Sequence, residues 1–169
     1  MAEPITRRAL ILGADGEKGR AVAVRLAAEG MKLALCGGDA RALMRTAALT
    51  GRPLDMLVLP ADPAATRAQD DILRILTGHF KGLEGIVDAG AGNANGPAGA
   101  LIRRCLPLLR AGDAPRVIVL AHIADAASFE AMATAIAGAG VRLTRLDPGN
   151  GDDAPEAVAA RVADALRED

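Results

Sequence analysis

Short runs of consecutive apolar residues alternate along this chain with longer stretches in which apolar residues return at helical spacing. The short runs fall at residues 9–12, 32–36, 54–59, 85–88, 116–121 and 141–146. The first of them, 9–12, is apolar throughout and reads as a buried strand, and the others read as strands of the same kind. The helix-period stretches fall at residues 20–28, 40–49, 63–79, 97–109, 128–138 and 155–167. The strands recur about every 25 to 30 residues, the spacing of a strand followed by a crossover helix. Six such units predict an α/β protein of three layers, a doubly wound Rossmann fold around a parallel sheet. Right-handed crossovers favour the strand order 3-2-1-4-5-6, with a crevice beyond the carboxyl ends of the first and fourth strands.

The turn after the first strand carries Gly13, Gly16 and Gly19 and leads straight into a helix. Glycines there let the backbone approach a pyrophosphate, and the N–H groups and positive dipole end of the helix attract its charge. The same three residues also suit a plain strand-to-helix turn in any α/β protein. Asp39, Asp62 and Asp152 or Asp153 stand before helical runs and read as helix caps, with Pro63 following Asp62 where a helix best tolerates proline. Asp15, Asp62, Asp88, Asp125 and Asp147 also lie near strand ends, where an acidic rim holds Mg²⁺ in some proteins. Capping accounts for several of the five without a metal, so no metal site is read.

Composition narrows the functional classes. With 169 residues the chain reads as one domain, 1–169, large enough for a core without disulfides or metals. A formal net charge of −1 points away from nucleic acid and from a polybasic membrane surface. No apolar run has the length of a membrane span and the start, MAEPITRR, lacks the apolar core of a secretory signal, so a cytoplasmic protein is expected. Cys36 and Cys105 sit in apolar segments without CxxC or Cys/His spacing and read as buried free thiols. There is no Trp and no Tyr, Phe80 and Phe129 are the aromatic residues, and Ser128 is the sole serine. Mechanisms that need a tyrosine hydroxyl are excluded, and ASFEA around Ser128 is no nucleophile elbow.

Taken in order, these segments resemble the short-chain dehydrogenase/reductase family along most of the chain. LILGADGEKGRAVA resembles its first strand and glycine loop in the GxxGxxG spacing of its extended and atypical branches. The resemblance implies a loop of Gly13, Asp15, Gly16, Glu17, Lys18 and Gly19 around an NAD or NADP pyrophosphate, with Glu17 where another branch has glycine. LALCGGDARAL resembles the end of the second strand, where an acidic residue reads the ribose of NAD or an arginine pairs with the phosphate of NADP. Here Gly37 and Gly38 stand at those positions, and Arg41 lies one helical step on. LVLPADPAAT places Asp62 where relatives contact adenine, and GIVDAGAG resembles the family's NNAG segment, matching at Ala89 and Gly90 with Asp88 for its second Asn. VRLTRLDPG resembles the sixth strand, whose Pro148–Gly149 turn lies near the nicotinamide.

The family's chemistry is missing from the same framework. Its proton donor is a Tyr, lowered in pKa by a Lys four residues later; this chain has no Tyr, and SFEAMATAIAGAG, the helix after the fifth strand, has no Lys; its Ser aligns with His122. Asn93, in the run of residues 93–96, resembles the family's relay Asn. The reading is an NAD(P)(H)-binding protein without reductase residues, a pseudoenzyme that acts as a binding or partner subunit. An oxidoreductase using His122 as a replacement acid or base is one alternative, and a ligand-free scaffold is another. In relatives the helices corresponding to 97–109 and 128–138 build the dimer interface. The small residues Ala131, Ala133, Ala135, Ala137 and Gly138 would allow close approach there, for a homodimer or for a hetero-oligomer with an active relative. The same helix could instead pack tightly on its own sheet.

Overall fold

The structure, a computed structural model, describes residues 7–63, 65–90, 97–120, 126–147 and 153–168. Its strands are β1 (Arg8–Leu12), β2 (Lys32–Gly37), β3 (Met56–Pro60), β4 (Gly85–Asp88), β5 (Arg116–Leu120) and β6 (Arg142–Leu146). They form one parallel sheet in the order β3-β2-β1-β4-β5-β6, as the strand spacing predicts. The helices are α1 (Glu17–Ala28), α2 (Ala40–Leu49), α3 (Thr66–His79), α4 (Pro97–Arg104), α5 (Leu106–Arg110), α6 (Ala126–Ile136) and α7 (Pro155–Arg167). In the centre of the sheet Leu10 pairs with Ala34 on one side and Ile86 on the other.

Alternate residues of each strand feed two cores. Ala9, Ile11, Leu33, Leu35, Val87 and Ile118 pack under α1, α2 and α7. Leu10, Leu12, Ala34, Ile86, Val117 and Val119 pack under α3, α4, α5 and α6. Because both faces are covered, no position of the central strands has water to satisfy a polar side chain, and the runs are apolar without alternation. Each leucine so buried contributes about 1.5–3 kcal/mol. Cys36 and Cys105 are free and buried on the second face, and burial pushes each thiol up to about 12, helped at Cys36 by the charges of Asp15 and Asp62 and opposed at Cys105 by Arg104. Among the described residues no helix is long and apolar enough to cross a membrane.

Several boundaries differ from the sequence reading for local reasons. A 3₁₀ turn at Pro53–Asp55, with Leu54 fully exposed, takes the start of the third apolar run, so β3 begins at Met56. α3 begins at Thr66 with Ala65 as its N-cap, and Asp62 is no helix cap: its carbonyl closes a turn by accepting the Ala65 N–H at 3.1 Å. α7 is likewise capped by Ala154 without a side-chain bond, while Asp153 pairs with Arg161 at 3.3 Å. Asp39 does cap α2, its Oδ1 accepting the Ala42 N–H at 3.0 Å. The helical stretch at 97–109 is two helices, because Pro107 has no N–H to continue the ladder and the chain restarts after Cys105. The sixth helix runs 126–136 rather than 128–138, with Gly138 beyond its end at φ 81°.

Candidate functional site

β1 and β4 are neighbours whose chains leave the sheet toward opposite faces, and the loops that follow them define the crevice. After Leu12 the backbone turns at Gly13, whose φ is 77°. The Gly13 and Ala14 N–H groups both donate to the Cys36 carbonyl, at 2.9 and 3.1 Å, stapling the loop to the end of β2. The Ala14 carbonyl accepts the buried Thr46 hydroxyl at 2.8 Å, so α2 anchors the loop from behind. The Gly16 N–H donates to the Gly13 carbonyl at 3.1 Å, and α1 starts at once with Gly16 as an N-cap that offers no side chain. The first-turn N–H groups of a helix have no intrahelical partner, so this end presents donors and a positive dipole.

The glycines are there because backbone fills the space a side chain would need. A β-carbon on Gly13 would lie 2.6 Å from the Gly90 nitrogen, and one on Gly19 would lie 2.1 Å from the Gly13 carbonyl oxygen. Gly16 is different: a β-carbon there would come no nearer than 3.4 Å to the same oxygen. From the other side of the crevice, the Ala89 N–H donates to the Leu12 carbonyl at 2.9 Å and extends the β1–β4 ladder into the loop. Gly13, Gly16, Gly19, Ala89 and Gly90 therefore converge at the carboxyl ends of β1 and β4, as the glycine spacing and the NNAG-like segment imply.

The acidic residues divide. Asp88, the last residue of β4, is 1% exposed; its Oδ1 accepts the Gly90 N–H at 3.2 Å and its Oδ2 is buried without a hydrogen-bond partner among the described residues. Burial pushes its carboxyl up to about 6, against the Gly90 N–H, which pulls it down. Asp15 turns toward β2, its Oδ2 accepting the Asp39 N–H at 3.0 Å. Asp62 lies beyond β3, on the same side of the sheet end, and Asp15 and Asp62 are both near enough for their charge to bear on Cys36. Among the described residues no three His, Cys, Asp or Glu side chains cluster as a metal site requires.

Of the other expected site residues, Glu17 is exposed on the first turn of α1 and borders a groove of about 520 Å³ between α1 and α7, with Arg20 and Glu156. Lys18 is half-buried and has a partner, and Gly38 follows β2 with nothing within 4 Å of where its β-carbon would be. His122, Asn93, Pro148 and Gly149 lie outside the described residues. Local spacing does not show that Asp88, in the place of an Asn, is buried, or that the Asp15 carboxyl fills the space beside Gly37. The doublet Gly37–Gly38 after an apolar strand was the available signal.

No protein-family model matches this chain, and no curated protein does. Solved structures match it over nearly its whole length. It is similar to the glucose dehydrogenase of Caenorhabditis elegans in its apo form, at 22% identity over 93% of this chain and 87% of that one, with a TM-score of 0.81. It is similar to RhlG of Pseudomonas aeruginosa in its complex with NADP, at 20% identity over 96% and 90%, with a TM-score of 0.81. A metagenomic short-chain oxidoreductase (SDR) in complex with NADP matches at 18% identity over 96% and 91%, with a TM-score of 0.76. At these identities the likeness is one of fold, and the fold is that of the short-chain dehydrogenases/reductases.

Proposed function

We propose that this chain binds NAD(P)(H) and has lost the reductase chemistry of the fold, serving as a binding or partner subunit. The observation that carries the reading is the glycine cradle, in which Gly13 meets the backbone of Gly90, and Gly19 that of Gly13, at distances that no β-carbon on Gly13 or Gly19 would survive. Gly13, Gly19 and Gly90 meet at the mouth of the crevice where this fold binds its cofactor. The fit extends to charge, since α1 presents its amino end there without a capping side chain. Gly13, Gly16, Gly19, Ala89 and Gly90 would hold the pyrophosphate and sugar, and the nicotinamide, when bound, supplies or accepts a hydride. The loss of reductase chemistry rests on the sequence, which has no tyrosine to donate the proton. Association through α4, α5 and α6, with a second copy or an active relative, belongs to the same reading.

Isothermal calorimetry with NAD⁺, NADH, NADP⁺ and NADPH tests the first part. We expect micromolar binding of a cofactor and no steady cofactor consumption with a panel of carbonyl substrates. Gly16→Asp is the sharper control, because the position has a φ of −84° and room for a side chain. An aspartate there is a good N-cap, so the fold is kept, while its charge opposes the pyrophosphate and removes binding. Silence with all four cofactors in folded protein makes the chain a scaffold; cofactor consumption with a carbonyl makes it an enzyme.

A further inference from the structure

Given a dinucleotide in the glycine cradle, as proposed above, we infer that Asp15 reads the adenosine ribose and makes the site select NAD(H) over NADP(H). In this fold that choice is made at the end of the second strand, where a carboxylate accepts from the ribose 2′-hydroxyl or an arginine meets a 2′-phosphate. β2 ends in Gly37, which has no side chain to make either contact. The space is nonetheless filled. A β-carbon on Gly37 would lie 2.4 Å from Asp15 Cγ, 2.4 Å from Oδ1 and 2.7 Å from Oδ2. The carboxyl group thus stands where a β2-terminal side chain would stand, but it is delivered from the glycine loop.

It is also held there. The loop is stapled to Cys36 by the N–H groups of Gly13 and Ala14 on the residue just before Asp15's seat, and Asp15 Oδ2 accepts the Asp39 N–H at 3.0 Å. That bond uses one oxygen and leaves Oδ1 for a hydroxyl donor. The surroundings favour a neutral ribose over a 2′-phosphate, which carries about −1.5 to −2 charges at neutral pH. Asp39 stands beside Asp15 and Asp62 lies close by on the neighbouring strand end. Arg45 and Arg41 on α2 are cations whose charges already act on Asp39.

Calorimetric titration of the purified protein with NADH and NADPH reads the selection directly. Wild type is expected to bind NADH at least about tenfold more tightly, and Asp15→Ser to weaken NADH by about 10- to 100-fold, the range of a lost charge-assisted hydrogen bond, while leaving NADPH unweakened. The double variant Asp15→Ala with Gly37→Asp provides a rescue. The three atoms crowding Gly37 all belong to Asp15, so removing that carboxyl makes room for one carried by β2 itself. NADH preference should return with it. Equal or tighter binding of NADPH by wild type overturns the assignment and hands the choice to Arg41. Equal losses for both cofactors in Asp15→Ser also overturn it, because they make Asp15 a structural part of the loop. Silence with both cofactors in folded protein removes the cofactor reading itself, a result distinct from inverted preference.

Discussion

Two glycines, Gly13 and Gly38, look alike in the sequence and make opposite demands on the structure. Gly13 has a left-handed φ of 77° and faces the Gly90 amide at a distance no β-carbon tolerates. Neither side can retreat, because the Gly13 N–H is bonded to Cys36 and the Ala89 N–H to Leu12. Gly38 has open space. Gly13→Ala should therefore cost about 2–4 kcal/mol from strain and overpacking together, and Gly38→Ala less than about 0.5 kcal/mol. Urea denaturation of the two variants measures the difference, and equal midpoints would show that the loops are free to part. The GxxGxxG spacing made the turn legible. It could not show that Gly13 answers to Gly90, or that Asp15 fills the place of a side chain on Gly37, because such pairs are set by the sheet and not by local spacing.

At the scale of elements, the central strands were the most legible part, since burial on both faces leaves an apolar run there. Helix ends were less so. Asp62–Pro63 carries the chemistry of a helix start, yet the chain spends it on a turn, and Pro107 divides a stretch whose apolar period continues across the break. α6 shows what periodicity leaves open. Met132 and Ile136 are buried against the sheet, while Ala127, Ala131, Thr134 and Ala135 follow one another on its exposed side at helical spacing. Phe129 lies under the Arg145 guanidinium, 5.5 Å from centroid to cation, and ties the helix to β6. These small residues, with the exposed Glu130 beside them, fit the association proposed above, because they let a second backbone come close. Ala135→Arg keeps the buried side intact and should convert the assembly to monomer in sedimentation velocity at micromolar concentration. A wild-type monomer, or an assembly that survives the substitution, would exclude this face.

At the scale of the whole molecule, two buried carboxylates at opposite ends of β4 bear on stability in opposite senses as pH changes. Glu84, just before the strand, is buried, which raises its pKa, but the hydrogen bonds and charge of Arg8 outweigh this and leave it below its usual value of 4.5. Its contribution to stability is full above that value and is lost as pH falls through the folded pKa. Asp88, at the other end, behaves in the reverse sense. Its usual value is 3.8 and its folded value is about 6, so the unfolded chain ionises first and stability falls as pH rises from 3.8 to 6. A separation of that size corresponds to at most about 3 kcal/mol, present in full as a penalty at pH 7. Asp88→Asn keeps an oxygen for the Gly90 N–H and cannot ionise. It should raise stability at pH 7 by about 1–2 kcal/mol, since the buried amide N–H₂ takes back part of the gain, and lower it by about 1 kcal/mol at pH 4, where the ionisation penalty has almost gone and the amide cost remains. Thermal or urea unfolding across this range tests the claim, and a variant that tracks wild type through pH 6 would show that Asp88 finds a partner in solution. The penalty falls on the strand end beside the glycine cradle, where a ligand that donates a hydrogen bond to Oδ2 would offset it. Saturating cofactor should therefore stabilise wild type more than Asp88→Asn at pH 7, and the two should converge as the carboxyl protonates.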